Sequence, residues 1–153
     1  MGKKPSPKTP FKGRTIGRLA AVQALFQVEQ TGVPASSVVL EFLTHRLKDG
    51  ESGLSKADTT FFSRLTEGAW RTHSHSDEIV CGALKAGWTL DRIESVIRAI
   101  FRAALYELLE TNTPAPVVID EYLTITRNFF DDPEVAFVNG VLNTVAQKIK
   151  TTI

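Results

Sequence analysis

An all-α fold, a compact bundle of about seven helices, is what this sequence predicts, and three observations predict it. Apolar residues recur at helical steps of 3, 1, 3, 1, most clearly in Ile93, Val96, Ile97, Ile100, Phe101, Ala104, Leu105, Leu108 and Leu109. No stretch sustains the period-two alternation of a half-buried strand. Clusters of Gly and Pro divide the periodic segments at helix-length intervals. With 153 residues, 42% hydrophobic and 23% charged, the chain has the size of one domain and can bury a core without disulfides or metal. The single cysteine, Cys81, has no partner for an internal disulfide and no CxxC or clustered histidines for a zinc site, which points to a reducing compartment.

Residues 1–13 hold Pro5, Pro7, Pro10 and Gly13 among lysines. Such a stretch neither propagates a helix nor buries apolar surface, so a flexible basic arm is expected there and a single helical domain over 14–153. The first helix runs from Arg14 to Gln30, with apolar groups around most of its wheel, and should be central. Gly32 and Pro34 end it, and Ser36 or Ser37 can cap a second helix over Val38 to Leu47. Lys48 to Leu54 reads as a loop. Ser55 and Asp58 resemble a capping box ahead of a third helix carrying Phe61, Phe62, Leu65, Ala69 and Trp70. A fourth helix is expected over Ser76 to Ala86, stopped by Gly87, and the fifth is the Ile93 to Leu109 segment. Pro114 and Pro116 precede a sixth, Val118 to Phe130, and Asp131-Asp132-Pro133 leads a seventh, Glu134 to Lys148.

Net charge is +1, but six of the 18 basic residues and none of the 17 acidic ones fall within residues 1–18. A basic end on a mildly acidic body suits a polyanion. Unbroken apolar runs reach only four residues, against the ~20 needed to span a bilayer. The lysine-rich start lacks the apolar stretch of a signal peptide, so a cytoplasmic protein is expected.

Arg14 and Arg18 stand four apart at the positive end of the first helix, where like charges repel one another and the helix dipole. A phosphate would compensate them, with Lys12 adding charge and Phe11 an aromatic face for an unpaired base. The alternative is that both arginines are solvated and Phe11 packs as a staple. Within the seventh helix, Gly140 costs about 1 kcal/mol relative to Ala, which marks a close approach of another helix or of a ligand backbone. Asn139 beside it can contact a base or phosphate, or be solvated. Enzyme signals are thin. His73 and His75 point about 200° apart on a helix, and Glu41 with His45 lacks a second pair. There is no P-loop, GxGxxG, nucleophile elbow or CxxC, so no catalysis, cofactor or metal is expected.

Four stretches together resemble the NusB family of bacterial transcription antitermination factors. They are Arg14-Thr-Ile-Gly-Arg18 running into Ala21-Val-Gln-Ala-Leu-Phe26; Trp88 with Leu90-Asp-Arg-Ile93, Ile97-Arg-Ala-Ile100 and Ala104-Leu-Tyr-Glu-Leu108; Pro116-Val-Val-Ile-Asp-Glu121; and Phe137-Val-Asn-Gly-Val-Leu142. Their order and spacing cover residues 14 to 149. The resemblance implies two helical subdomains sharing a core and a non-catalytic activity. Family members pair with the ribosomal protein NusE, bind boxA RNA and help RNA polymerase read through terminators in ribosomal RNA operons.

Carried over by position, the resemblance implies RNA contacts at Lys12, Arg14, Arg18, Phe26, Phe137 and Asn139. Phe26 stands where the family usually has Tyr, and Asp120 where Asn is common. No short motif marks the NusE surface, for which the exposed side of the fifth helix, with Glu94, Arg98 and Arg102, is the expectation. Monomer and homodimer both stay open. The alternative function is a structural helical dimerisation module or a stand-alone RNA-recognition domain of the NusB kind.

Overall fold

The protein is described from a computed structural model that covers residues 9–48, 50 and 53–152, the side chains of 9–12 and 151–152 excepted. The expected arm residues Lys3, Lys4 and Lys8 lie outside the described residues, as does the side chain of Lys12. Among the described residues the structure is all helical: α1 (Thr9–Thr31), α2 (Ala35–Glu41), α3 (Thr59–Arg71), α4 (His73–Cys81), α5 (Ser95–Glu110), α6 (Ala115–Phe129) and α7 (Asp132–Thr152). A widened π-type turn over Phe42–Arg46 extends α2, and a single 3-10 turn, Leu90–Arg92, leads into α5. No described helix is long and apolar enough to cross a membrane.

The apolar spacing of α5 translates directly into position. Ile97 and every residue from Ala99 through Glu107 are buried, because the helix packs against α1, α3, α4, α6 and α7 at once. α1, expected to be central, shares that role through Ala20, Ala21, Val22, Ala24, Leu25 and Val28. α1, α2 and α3 form one group and α4, α6 and α7 gather around the other flank of α5. Phe42, Phe62, Phe101 and Tyr122 are the large aromatic side chains fully buried in this core, Phe42 stacking on Phe62 at 5.5 Å.

Several boundaries differ from those the sequence predicts. α1 starts at Thr9, five residues before Arg14, with Pro10 in the first turn where its missing N–H costs nothing. The cap of α3 is Asp58 and not Ser55: its carboxylate accepts from the Phe61 N–H at 3.0 Å, and its own N–H donates to the Gly13 carbonyl at 2.9 Å. α4 starts three residues early, at His73, and stops at Cys81, so Gly87 with φ 89° belongs to the turn that follows.

The first turn of α3 approaches α1 closely. A Cβ on Gly17 would sit 3.2 Å from the Phe61 ring and 3.4 Å from the Asp58 carbonyl, and one on Gly13 would sit 3.4 Å from the Lys56 carbonyl. Gly13 and Gly17, one helical turn apart, therefore make the notch that receives α3. Gly140, by contrast, has nothing within 4 Å of its would-be Cβ. The expected close approach of a neighbouring helix is absent, and Gly140 opens instead onto a surface groove.

Candidate nucleic-acid interface

The two arginines expected to share an exposed face are divided by it. Arg14 is exposed, whereas Arg18 is 4% exposed and turned inward. The Arg18 guanidinium donates through Nε to Glu107 Oε2 at 2.6 Å and through Nη2 to Glu107 Oε1 at 2.9 Å. Its Nη1 lies 3.3 Å from Glu121 Oε1. This corrects the expectation that Arg18 reaches a phosphate: a fork-shaped cation satisfied by the fully buried Glu107 and the partly buried Glu121 has no face left for RNA.

The same carboxylate accepts from the Tyr122 hydroxyl at 2.6 Å, so α1, α5 and α6 meet at Glu107. Glu121 also accepts from Thr15 Oγ1 at 3.0 Å, tying the first turns of α1 to α6 a second time. Burial opposes the charge on Arg18, but the bond to Glu107 and its negative charge outweigh that cost and raise the Arg18 pKa above its ordinary value. Burial, and then Glu107, push the Tyr122 hydroxyl well above the ordinary tyrosine range.

Between the arginines lies Phe61. Its ring centroid is 4.7 Å from the Arg14 guanidinium carbon and 5.0 Å from that of Arg18. A cation over an aromatic ring is worth about 0.5–1 kcal/mol at an exposed site, enough to bias the rotamers of a long side chain. Among the described residues no carboxylate pairs with Arg14. It lines a groove with Phe61, Arg64, Tyr106 and the α5–α6 connection Thr111–Pro114.

Asn139 is exposed on α7 and accepts at Oδ1 from Asn143 Nδ2 at 2.7 Å. It lines a second groove, between α6 and α7, that begins at Ala115 and Pro116. The first groove thus ends at Pro114 and the second begins at Ala115, the next residue, with Arg14 lining one and Asn139 the other. Phe26 is half-buried and packs on the core.

Phe137 stands two residues from Asn139 and so on the other side of α7. Its ring meets Phe101 edge-on at 6.0 Å and, with Trp88, Ile97 and Gly140, lines an apolar groove of about 750 Å³. Trp88 is 52% and Phe137 36% exposed there. Glu94, the N-cap of α5, accepts from the Val96 N–H at 2.7 Å and stands on the same groove.

Arg98 and Arg102 lie beneath rather than on the expected open face. Arg98 donates to Glu29 at 2.9 Å and to the carbonyls of Leu90 and Ile93. Arg102 is 7% exposed, pairs with Asp77 at 2.8 Å and Glu29 at 3.2 Å, and stacks its guanidinium 5.4 Å from the Trp70 ring. Burial disfavours the Glu29 charge, but Arg98 and Arg102 together hold its carboxyl below the ordinary range. His73 stacks on Trp70 at 3.9 Å, and its Nδ1 lies 2.6 Å from the Trp70 carbonyl oxygen, so both are structural contacts.

The arrangement is that of a helical scaffold presenting, among the described residues, an exposed arginine at one groove and a separate apolar groove. Comparison with known proteins places it: the NusB family model matches residues 15–147, and the chain belongs to that family. It is 40% identical over 137 residues to the transcription antitermination protein NusB of Caulobacter vibrioides, covering 88% of this chain and 92% of the relative. It is 42% identical over 141 residues to that of Sinorhizobium fredii, covering 90% and 88%. Thermotoga maritima NusB superposes with a TM-score of 0.70 at 26% identity, over 98% of this chain and all of that one. A chain from the crystal structure of a plectonemic RNA supercoil superposes with a TM-score of 0.76 at 23% identity, over 91% of this chain and 97% of that one.

Two outcomes are expected at the Arg18 cluster. Arg18→Ala strands a buried carboxylate and should lower unfolding free energy by about 3–5 kcal/mol in a denaturant titration; a loss under about 1 kcal/mol would contradict the lock. Tyr122 has the second. The unfolded chain releases this proton near pH 10.0 while the folded chain retains it, so above that pH the unfolded state binds fewer protons and stability falls. Tyr122→Phe should remove up to about 1.4 kcal/mol per pH unit from that alkaline slope.

Proposed function

We propose that this chain is a non-catalytic, cytoplasmic transcription antitermination factor that binds boxA RNA together with the ribosomal protein NusE, and so promotes RNA polymerase read-through of ribosomal RNA operons. The observation that carries the reading is Arg14, an exposed guanidinium without a carboxylate partner among the described residues, held over Phe61 on the wall of a groove of mixed lining. A guanidinium donates in a fork to phosphate oxygens and stacks on an unpaired base, the two contacts single-stranded RNA requires. The antitermination names of its relatives support the assignment, and the occurrence of the same fold in the crystal structure of an RNA supercoil agrees with it.

The site as proposed is Arg14 with Lys12, and Asn139 in the groove between α6 and α7 that begins at Ala115. Arg18 and Phe26 act behind it, the first by fixing the opening turns of α1 and the second through the core. Phe137 belongs to the other surface. The groove of Trp88, Ile97, Phe137 and Glu94 suits a protein partner, here NusE, since an exposed tryptophan and phenylalanine over an apolar floor are what buried interfaces are built from. Arg98 and Arg102 support that surface from beneath. RNA and NusE would then occupy different faces and strengthen one another, a coupling commonly worth about 1–3 kcal/mol.

Titration of a boxA RNA over a range of salt tests the RNA site. Arg14→Ala should weaken binding and flatten the logarithmic salt slope by about 0.7, the value for one phosphate contact to a single strand; unchanged binding would remove Arg14 from the site. Gly140→Ala tests the groove. With no atom in the way of the new methyl, it should stabilise the free protein by up to about 1 kcal/mol, while weakening capture of purified NusE if the partner's backbone sits against Gly140. Equal capture by both proteins would move the partner elsewhere.

A further inference from the structure

Beyond Arg14 the surface continues along α3. The groove at Arg14 and a second depression over α3, each of about 560 Å³, share Arg64 and Tyr106 as walls, so the two adjoin there and are taken together as a channel. Arg64 and Arg71 are seven residues apart, two turns of α3 on one face, which separates their backbones by about 10 Å. Both are exposed, and among the described residues neither pairs with a carboxylate.

Between them lies Tyr106 of α5, buried but for one edge (8% exposed) and laid across Gly68. A Cβ at Gly68 would lie 2.4 Å from Tyr106 Cε1 and 2.8 Å from its hydroxyl oxygen, so only glycine lets the ring rest across α3. The Tyr106 hydroxyl has no hydrogen-bond partner among the described residues and is not enclosed. Two carboxylates also line the channel, Glu67 between the two arginines and Glu110 at its edge, while Glu107 is already neutralised by Arg18.

We infer that Arg64, Tyr106 and Arg71 extend the RNA site, carrying the single strand from Arg14 across α3 with phosphates at the arginines and an unpaired base against the tyrosine edge. The inference rests on the RNA-binding reading above. Cations interleaved with an aromatic are the pattern that tracks a single-stranded backbone, and three guanidiniums against two open carboxylates leave the channel net positive. Other polyanions meet the same charge but not the same spacing of charge and ring.

The test compares two single-stranded RNAs, one of about 12 nucleotides and one of about 4 that fills only the Arg14 end, within the range of site sizes for such grooves. The double variant Arg64→Ala, Arg71→Ala should lose roughly tenfold affinity for the longer RNA and flatten its salt slope by about 1.4, two contacts at about 0.7 each. The shorter RNA should bind it as it binds the unaltered protein. Glu67→Gln should tighten the longer RNA, since it removes a negative charge from the path. Both arginines are exposed, so thermal unfolding should be unchanged.

Equal affinity of the double variant for the longer RNA, with the unaltered protein binding normally, overturns the extension and leaves the Arg14 site standing. A loss with an unchanged salt slope also overturns it, because phosphate contact is then not what was removed. Failure of the unaltered protein to bind either RNA overturns the underlying reading itself.

Discussion

The ion pair of Arg18 with Glu107 is the constraint on which the arrangement of this molecule depends. A carboxylate with no solvent exposure is tolerable only if its lone pairs are filled and its charge is opposed, and here three donors do so: two nitrogens of Arg18 and the Tyr122 hydroxyl. Those donors come from α1 and α6, and the acceptor from α5. Any sliding of one helix against the others breaks a strong bond in a medium of low dielectric. The apolar core alone tolerates shifted packings; the buried fork admits one register.

That register fixes what lies outside it. Once α1 is held, the Gly13 and Gly17 notch sets where α3 docks, Asp58 caps α3 against α1, and Phe61 is brought between the two arginines. On the opposite flank the cluster of Glu29, Asp77, Arg98 and Arg102 joins α1, α4 and α5 in the same manner and anchors the start of α5 under the apolar groove. The two surfaces proposed for RNA and for a protein partner are thus each backed by a satisfied ionic cluster, and α5 is common to both.

Much of this fold is legible because helical period is a local property: the spacing in Ile93 to Leu109 locates α5, and turn chemistry locates the breaks at Gly32, Pro114 and Pro133. The fate of the charged residues is not, because it depends on what approaches from elsewhere in the chain. Arg18 and Arg14 look equivalent in sequence, and only the arrival of Glu107, 89 residues away, makes one of them interior. Arg102 shows the same effect with Asp77 and Glu29. The signal that betrays such residues is a charge within an apolar period: Arg102 and Glu107 both interrupt the α5 pattern. Gly140 misleads because a glycine in a helix is equally suited to a close neighbour and to an open groove, and local sequence does not distinguish them.

Phe61 separates a wet cation from a dry one. Because Arg14 lies on the solvent side of that ring and Arg18 on the folding side, selection can change the residue at 14, and with it the charge at the groove, with little effect on whether the chain folds. Position 18 has no such freedom. One helical turn thus divides a residue open to adaptation from one bound to the architecture.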